Sequence, residues 1–265
     1  MVTGATHRAQ PNGTRHVLVT GASRGIGRAV AVRFAEAGDR VAVHYLGRAA
    51  DAQRTMRLLP GDGHALIQGD LSSPQECRRV VEGAERALGG LDIVVNNAAV
   101  ATSPALRHPV VGTDFATWAG MWRQFTDINL LGAAHVSWAA AQAMVAAAVR
   151  GRIINIGSRG AFRGELEHPA YAVTKAALHA LGQSLAIALA PHGIAVTSIA
   201  PGFTATERVA ERFGTEIPAR ITADSPFGRI ATPDEVAAAV LYLASPEAEW
   251  ASGAILDLNG ASHLR

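Results

Sequence analysis

Tyr171 and Lys175 stand four residues apart in the run Ala170-Tyr171-Ala172-Val173-Thr174-Lys175-Ala176-Ala177. The alanine-rich stretch that follows predicts a helix through Leu189. Residues four apart share one helix face, one turn from each other. A phenol ordinarily titrates near ~10, too high to exchange protons readily at neutral pH. A fixed ammonium nearby favours the phenolate and lowers that value. The pair is therefore a candidate proton-transfer device. The same spacing also arises when a half-buried tyrosine shares a helix with a solvated lysine, so the rest of the chain has to decide between the two.

A second chemical element lies near the start. His16-Val17-Leu18-Val19-Thr20 is a short β-branched run that predicts a buried strand. It enters Gly21-Ala22-Ser23-Arg24-Gly25-Ile26-Gly27 and then a helical run over 28–37, closed by Gly38. Strand, glycine-rich turn and helix form the context that a nucleotide phosphate needs. Glycines let the backbone approach closely, and a helix N-terminus offers free N–H groups and a positive dipole end. The spacing is G-x-x-x-G-x-G, not the G-x-G-x-x-G fingerprint of dinucleotide folds, so a plain strand–helix turn has the same appearance.

These groups need a scaffold, and the pattern supplies one. Further strands are expected at 40–45, 64–68, 91–95, 152–156, 194–199 and 253–258. Helices are expected at 49–59 and from the capping box Ser73-Pro74-Gln75-Glu76 to Gly89. A long one is expected over 118–149 carrying Asn129, and another from the capping box Thr232-Pro233-Asp234-Glu235 to 244. Strands alternating with helices across short links imply parallel βαβ units. The fold class is a single-domain, doubly wound parallel α/β sheet with helices on both faces, over 16–265 after a disordered leader, 1–15. Ligands of such sheets bind beyond the carboxyl ends of the strands. Residues 100–117 read as irregular. Residues 203–227, with spaced Val209, Phe213, Ile217 and Ile221, read as a helical lid.

Composition narrows the function. The chain has 265 residues, 49% hydrophobic and 17% charged, enough for a large core. A formal charge of +2 without a Lys/Arg block gives no reason to expect a nucleic-acid partner. The single cysteine, Cys77, excludes an intramolecular disulfide and reads as a buried bystander thiol. No apolar run reads as long enough to span a bilayer, and residues 1–15 lack the apolar core of a secretory signal. A cytoplasmic protein with no membrane partner and no metal site is expected.

Taken together, Thr20-Gly21-x-x-x-Gly25-x-Gly27, Asp70, Asn96-Asn97-Ala98-Ala99, Asn129, Ser158, Tyr171-x-x-x-Lys175 and Pro201-Gly202 resemble the short-chain dehydrogenase/reductase family. The resemblance runs from His16 to the C-terminus and is broadly similar to 3-oxoacyl-carrier-protein reductases. It implies four catalytic residues. Ser158 would hold the substrate oxygen, and Tyr171 would give or take its proton. Lys175 would lower the Tyr171 pKa and bind the nicotinamide ribose. Asn129 would hold a water in a relay to Lys175. The cofactor contacts implied are Gly21, Ser23, Arg24, Gly25, Ile26 and Gly27 at the pyrophosphate turn, Asp70 and Leu71 at the adenine, and Asn97 and Ala98 near the adenosine ribose. Pro201, Gly202, Thr204 and Thr206 would meet the nicotinamide end, with Tyr171 and Lys175. The chain departs from the family at Ala99, where Gly is usual, at Asn259-Gly260-Ala261 near the end, and in the longer 100–117 segment.

The cofactor expected is NADP(H). An acidic residue ending the second strand binds the 2′-hydroxyl of NAD. Here that strand ends His44-Tyr45-Leu46-Gly47-Arg48, with Tyr45 at the matching position. Arg24 is placed to meet a 2′-phosphate, with His44 and Arg48 as added donors. The substrate expected is a small ketone or secondary alcohol, with a 3-oxoacyl thioester as one candidate. Arg159, Arg163, Arg208, Arg212 and Arg220 are the side chains open to a phosphopantetheine or carrier protein. Alanine-rich helices that are apolar on most sides need cover on both faces, and a homotetramer would supply it. The alternatives are a cofactor-binding regulator that does not catalyse and an NAD-dependent alcohol dehydrogenase of the same family.

Overall fold

The seven apolar runs become seven parallel strands of one sheet in a computed structural model that describes residues 13–213 and 218–265. They are β1 (His16–Val19), β2 (Arg40–Tyr45), β3 (Ala65–Gln68), β4 (Ile93–Asn96), β5 (Arg152–Ile156), β6 (Ala195–Pro201) and β7 (Ile255–Leu258), in the spatial order β3-β2-β1-β4-β5-β6-β7. The chain winds outward from β1 to β3, then crosses back to place β4 on the other side of β1. That reversal opens a crevice at the carboxyl ends of β1 and β4.

Side chains alternate between the faces of a strand, and a parallel sheet buries both. Val17, Val19, Val41, Val43, Ile93, Val95, Ile154 and Ile199 form one half of the core. It is covered by α1 (Gly25–Glu36), α2 (Ala49–Leu58) and, further along the chain, α10 (Pro233–Leu243). Leu18, Ala42, Val94, Ile153 and Val196 face the other way. They meet α3 (Pro74–Leu88), α5 (Ala133–Ala146) and α7 (Pro169–Leu189). Cys77 is buried among them, its thiol pushed up to about 11 by desolvation.

Several boundaries differ from the sequence reading. The long helix starts at Phe115, because Asp114 caps it by accepting the Thr117 N–H at 2.9 Å. It is also three segments, namely α4 (Phe115–Thr126), a π-helical stretch (Asp127–Gly132) and α5. Thr232 and Glu235 close a full capping box at α10. At α3 only half of one forms. Ser73 accepts the Glu76 N–H, while the Glu76 carboxylate turns to Arg79. The expectation of no membrane-length apolar run also needs correcting. Pro169–His192 has 24 residues at a mean hydropathy of 1.2; one face of it packs α7 onto β5, β6 and α5, while Val173 and Ile187 are exposed. Residues 1–12 of the expected leader lie outside the described residues. Arg15, at its end, pairs with Asp39 at 2.6 Å. The lid region holds α8 (Glu207–Phe213) and α9 (Ala219–Thr222), with a four-residue helix α6 (Gly160–Arg163) before α7. Ile217 lies outside the described residues.

Buried polar groups lock the crevice. Gly21 donates its N–H to His44 Nδ1 at 3.0 Å, and His44 Nε2 meets the Gly69 carbonyl at 3.1 Å. That fixes the neutral tautomer with the proton on Nε2. Burial lowers the His44 pKa to about 4. Unfolded histidine takes up its proton near ~6.5. The unfolded chain therefore binds more protons between about pH 6.5 and 4, and the stability held by neutral His44 is lost as pH falls through that window. The loss amounts to about 3 kcal/mol at most. His44→Gln, whose amide oxygen can still accept from Gly21, should lose less stability than wild type between about pH 7 and 4.5 in urea titrations. Equal losses would show that His44 is not the titrating pin.

Candidate active site

A cavity of about 600 Å³ opens where the strands end. Its wall is made by the turns after β1, β2, β3, β4, β5 and β6, with α8 across the top. Every expected site residue lines it except Asn129 and Tyr45.

The glycine turn is built by close approach. Gly21 has φ +63°, and a Cβ there would lie 2.8 Å from the Ala98 Cα. A Cβ on Gly27 would lie 2.5 Å from both Asn97 Nδ2 and the Gly21 carbonyl. No other residue fits either position. Asn97 uses its amide to hold this turn, donating to the carbonyls of Thr20 at 2.9 Å and Gly21 at 3.1 Å. The Thr20 hydroxyl donates to the Val95 carbonyl and accepts the N–H groups of Asn97 and Ala98.

The side chains expected to be catalytic converge at the other end. Lys175 is buried one turn beyond Tyr171, and its Nζ donates to the Ile156 carbonyl at 2.7 Å. The ammonium lies 6.0 Å from the centre of the Tyr171 ring, and Phe125 packs edge-on to that ring. Ser158 accepts the Gly160 N–H at 3.0 Å, and its hydroxyl reaches the Tyr171 phenol. Burial lowers the Lys175 pKa to about 8. The expectation of a depressed phenol is not met. Desolvation pushes the Tyr171 pKa up, and the Ser158 hydrogen bond only partly opposes it. Both members of the pair are biased toward their neutral forms.

Asn129 sits in the π-helical stretch, buried. Irregular helical turns of this kind often mark functional positions. Its Oδ1 accepts the Val100 N–H at 2.8 Å and its Nδ2 donates to the Val100 carbonyl at 3.0 Å. The side chain thus ties the loop after β4 to the helix below Lys175. Its amide is filled by protein partners rather than left for a water.

Two expected cofactor contacts change role. His44 borders the cavity, but both ring nitrogens are committed to the backbone, so it is no phosphate donor. Tyr45 packs against the core on the α1 face instead of lining the cavity. The wall beside it is made by Leu46, Gly47 and Arg48. Asp70 lines the cavity while its carboxylate accepts the Ser72 N–H at 2.9 Å. Of the arginines considered for an acyl carrier, Arg159 and Arg163 share Asp224, at 3.0 and 3.3 Å. The Arg212 and Arg220 side chains lie outside the described residues. Arg208 lines the cavity with no ion pair among the described residues.

The sequence reading missed the acidic groups. Glu165 lines the cavity without an ion-pair partner among the described residues. Glu207, at the start of α8, accepts the Gly25 N–H at 2.8 Å and pairs with Arg28 at 2.7 Å. A carboxylate therefore fills the anion position at the α1 N-terminus. This stand-in is the observation that fits the turn to a phosphate, since the same amide and dipole end suit either anion. The signal was available as a glutamate three residues beyond Thr204, but nothing local says where the lid folds.

The fold and site define a class: the chain belongs to the short-chain dehydrogenase/reductase family and is an oxidoreductase of it. Residues 21–263 match the family model described as enoyl-(acyl carrier protein) reductase. The human (3R)-3-hydroxyacyl-CoA dehydrogenase is 36% identical over 92% of this chain and 93% of its own. The acetoacetyl-CoA reductase of Shinella zoogloeoides is 33% identical over 93% and 98%. The L-rhamnose 1-dehydrogenase (NAD(P)(+)) of a Sphingomonas species is 34% identical over 94% and 96%.

Lys175 is the only lysine in the chain. Protein labelled with 15N-lysine should therefore give one side-chain Nζ resonance. It should titrate near pH 8, against ~10.4 for a solvated lysine. A midpoint above about 10 would mean that the ammonium is not desolvated as described.

Proposed function

We propose that this chain is an NADP(H)-dependent oxidoreductase acting on a ketone or its secondary alcohol, in the cytoplasm, as a homotetramer. The observation that carries the reading is the convergence of Ser158, Tyr171 and Lys175 at one end of a cavity whose other end is the glycine turn. The complete set argues against a non-catalytic regulator.

Gly21, Gly25 and Gly27 would carry the pyrophosphate, and Thr206 and Gly202 would border the nicotinamide. When bound, the nicotinamide supplies or accepts the hydride. Ser158 donates a hydrogen bond to the substrate oxygen and orients it. Tyr171 passes its hydroxyl proton to that oxygen in reduction and recovers it in oxidation. Lys175, held by the Ile156 carbonyl, stabilises the charge left on the phenol and meets the nicotinamide ribose. Because the Asn129 amide is filled, a relay water would use its main-chain carbonyl in the widened turn.

NADP(H) is favoured over NAD(H) by the end of β2, where the cavity wall offers Leu46, Gly47 and Arg48 with Arg24 opposite and no carboxylate. A 3-oxoacyl thioester is the first substrate to test, since two relatives are named for acyl-CoA reactions. A hydroxyl-rich substrate is the second reading. It is favoured by Glu165, an acceptor facing the cavity close to Ser158, and by the relative named for a sugar.

The tetramer rests on uncovered apolar side chains. Trp138 is 57% exposed on α5 and Ile187 80% exposed on α7, while Tyr242 and Trp250 are exposed near the β7 edge. A helix apolar on most sides needs a partner. Light scattering at micromolar concentration should give four times the 27.6 kDa chain mass, and a monomer would overturn the assignment.

Turnover of a ketone and acyl-thioester panel with NADPH tests the activity. Tyr171→Phe should keep NADPH affinity within about twofold and lower kcat by roughly 10²–10⁴-fold, the scale of a lost general acid. A variant keeping more than a few per cent of kcat would remove Tyr171 from the proton step. Equal or better kcat/KM with NADH would remove the cofactor assignment.

A further inference from the structure

Arg24 does not wait free for a phosphate. Its Nη1 bonds the carboxylate of Glu211, on α8, at 2.6 Å, and Glu211 is its ion-pair partner among the described residues. The Arg24 side chain is only 17% exposed, while that of Glu211 is 55% exposed. The guanidinium is thus tucked into the cleft and the carboxylate covers it from the solvent side. Of the neighbouring cations, Arg208 borders the same cavity without an ion pair among the described residues, and the other two are already committed. Arg28 spends its three nitrogens on Thr55, Glu207 and the Ser23 carbonyl, and Arg48 pairs with Asp51. Arg24 is the one whose partner is mostly in water.

From this we infer that Glu211 sets how strongly the site discriminates a 2′-phosphate from a 2′-hydroxyl, by occupying Arg24 until a phosphate displaces it. The inference rests on the placement of the adenosine ribose beside Arg24. A 2′-phosphate brings two charges and three acceptor oxygens to a guanidinium that already holds one carboxylate, so binding is an exchange of anions. A ribose hydroxyl carries no charge and leaves the Arg24–Glu211 pair intact. The β2 end has no carboxylate of its own, and the lid supplies one from a distant part of the chain. Glu207 is a separate contact. It holds the Gly25 amide and Arg28, so α8 stays docked when Glu211 lets go.

The test uses nucleotide fragments, which separate this inference from the choice of whole cofactor. 2′,5′-ADP carries the 2′-phosphate and 5′-AMP lacks it. Calorimetric titration of Glu211→Gln should show 2′,5′-ADP binding tighter by roughly two- to fivefold, the range of an exposed ion pair, with 5′-AMP unchanged. Arg24→Ala should weaken 2′,5′-ADP by roughly tenfold, and adding Glu211→Gln to it should change nothing further. No gain for 2′,5′-ADP in Glu211→Gln would overturn the inference. So would an equal gain for both fragments, which would mean a looser lid rather than a freed charge. A gain that persists without Arg24 would overturn it as well. Each arm reads the Arg24–Glu211 pair even if the full-length enzyme were to prefer NADH.

Discussion

The crevice between β1 and β4 depends on satisfying the backbone groups that a parallel sheet leaves at its strand ends. Strand pairing stops at Val19 and Val95, and the chain beyond still carries buried donors and acceptors. Each left unpaired would cost the desolvation of a polar group. The Thr20 hydroxyl takes three of these contacts, Asn97 takes two and His44 two more. The result is a turn held from both neighbouring strands, with its amides aimed at the cavity. Gly21 and Gly27 are forced by the same geometry, because the bridging side chains fill the space where a Cβ would go. The anion-accepting turn, filled here by the Glu207 carboxylate, and the closure of the fold are therefore one arrangement. The residues that look like cofactor ligands in a motif, Asn97 and His44 among them, act by holding the turn in shape.

The other end of the cavity is governed by desolvation. Tyr171 and Lys175 share an environment that penalises either charge, and it moves the phenol up and the ammonium down. The two shifts move the groups apart, so that at neutral pH the phenol keeps its proton firmly while the ammonium holds its own more loosely than a solvated lysine. A lysine near 8 lies closer to neutral pH than one near ~10.4, while the phenol lies further from it than in water. The Ile156 carbonyl keeps the ammonium in place, and the Val100–Asn129 bonds fix the loop facing it. The π-helical stretch matters here. A widened turn carries Asn129 into the space between the β4 loop and α7, where it also reaches Thr174 at 3.4 Å.

What the sequence made legible follows from range. Strand runs, capping residues and glycine stops are local, and the seven strands and the αβ alternation came through. The Tyr171–Lys175 face and the glycine turn were equally local. Contacts between distant segments were not. Glu207 reaches Gly25 across 182 positions and Glu211 reaches Arg24 across 187, and neither carries a periodic or spacing signal. The π-helical turn was invisible because its residues keep ordinary helical composition. Phe115 was missed as a helix start because Asp114 lies inside a stretch without clear periodicity. His44 was misassigned for a related reason. A polar residue near a ligand was taken to face it, whereas its strand position turned it toward Gly21 and Gly69.

The use of cations shows how far chemistry, rather than charge, chose the residue at position 175. Of 24 basic residues in the chain, 23 are arginine. Surface pairs such as Arg78–Glu82, Arg150–Glu249 and Arg229–Glu235 are all served by the guanidinium. So are the buried Arg152 and the cleft-facing Arg24. A guanidinium keeps its proton at any working pH and spreads five donors over a rigid plane. Neither property suits the space beneath Tyr171. There the cation points one donor at a backbone carbonyl, and burial brings the loss of its charge within reach of neutral pH. A compact amine on a four-carbon stem allows both. The lone departure from arginine thus falls at a buried position where desolvation brings the loss of charge within reach of neutral pH.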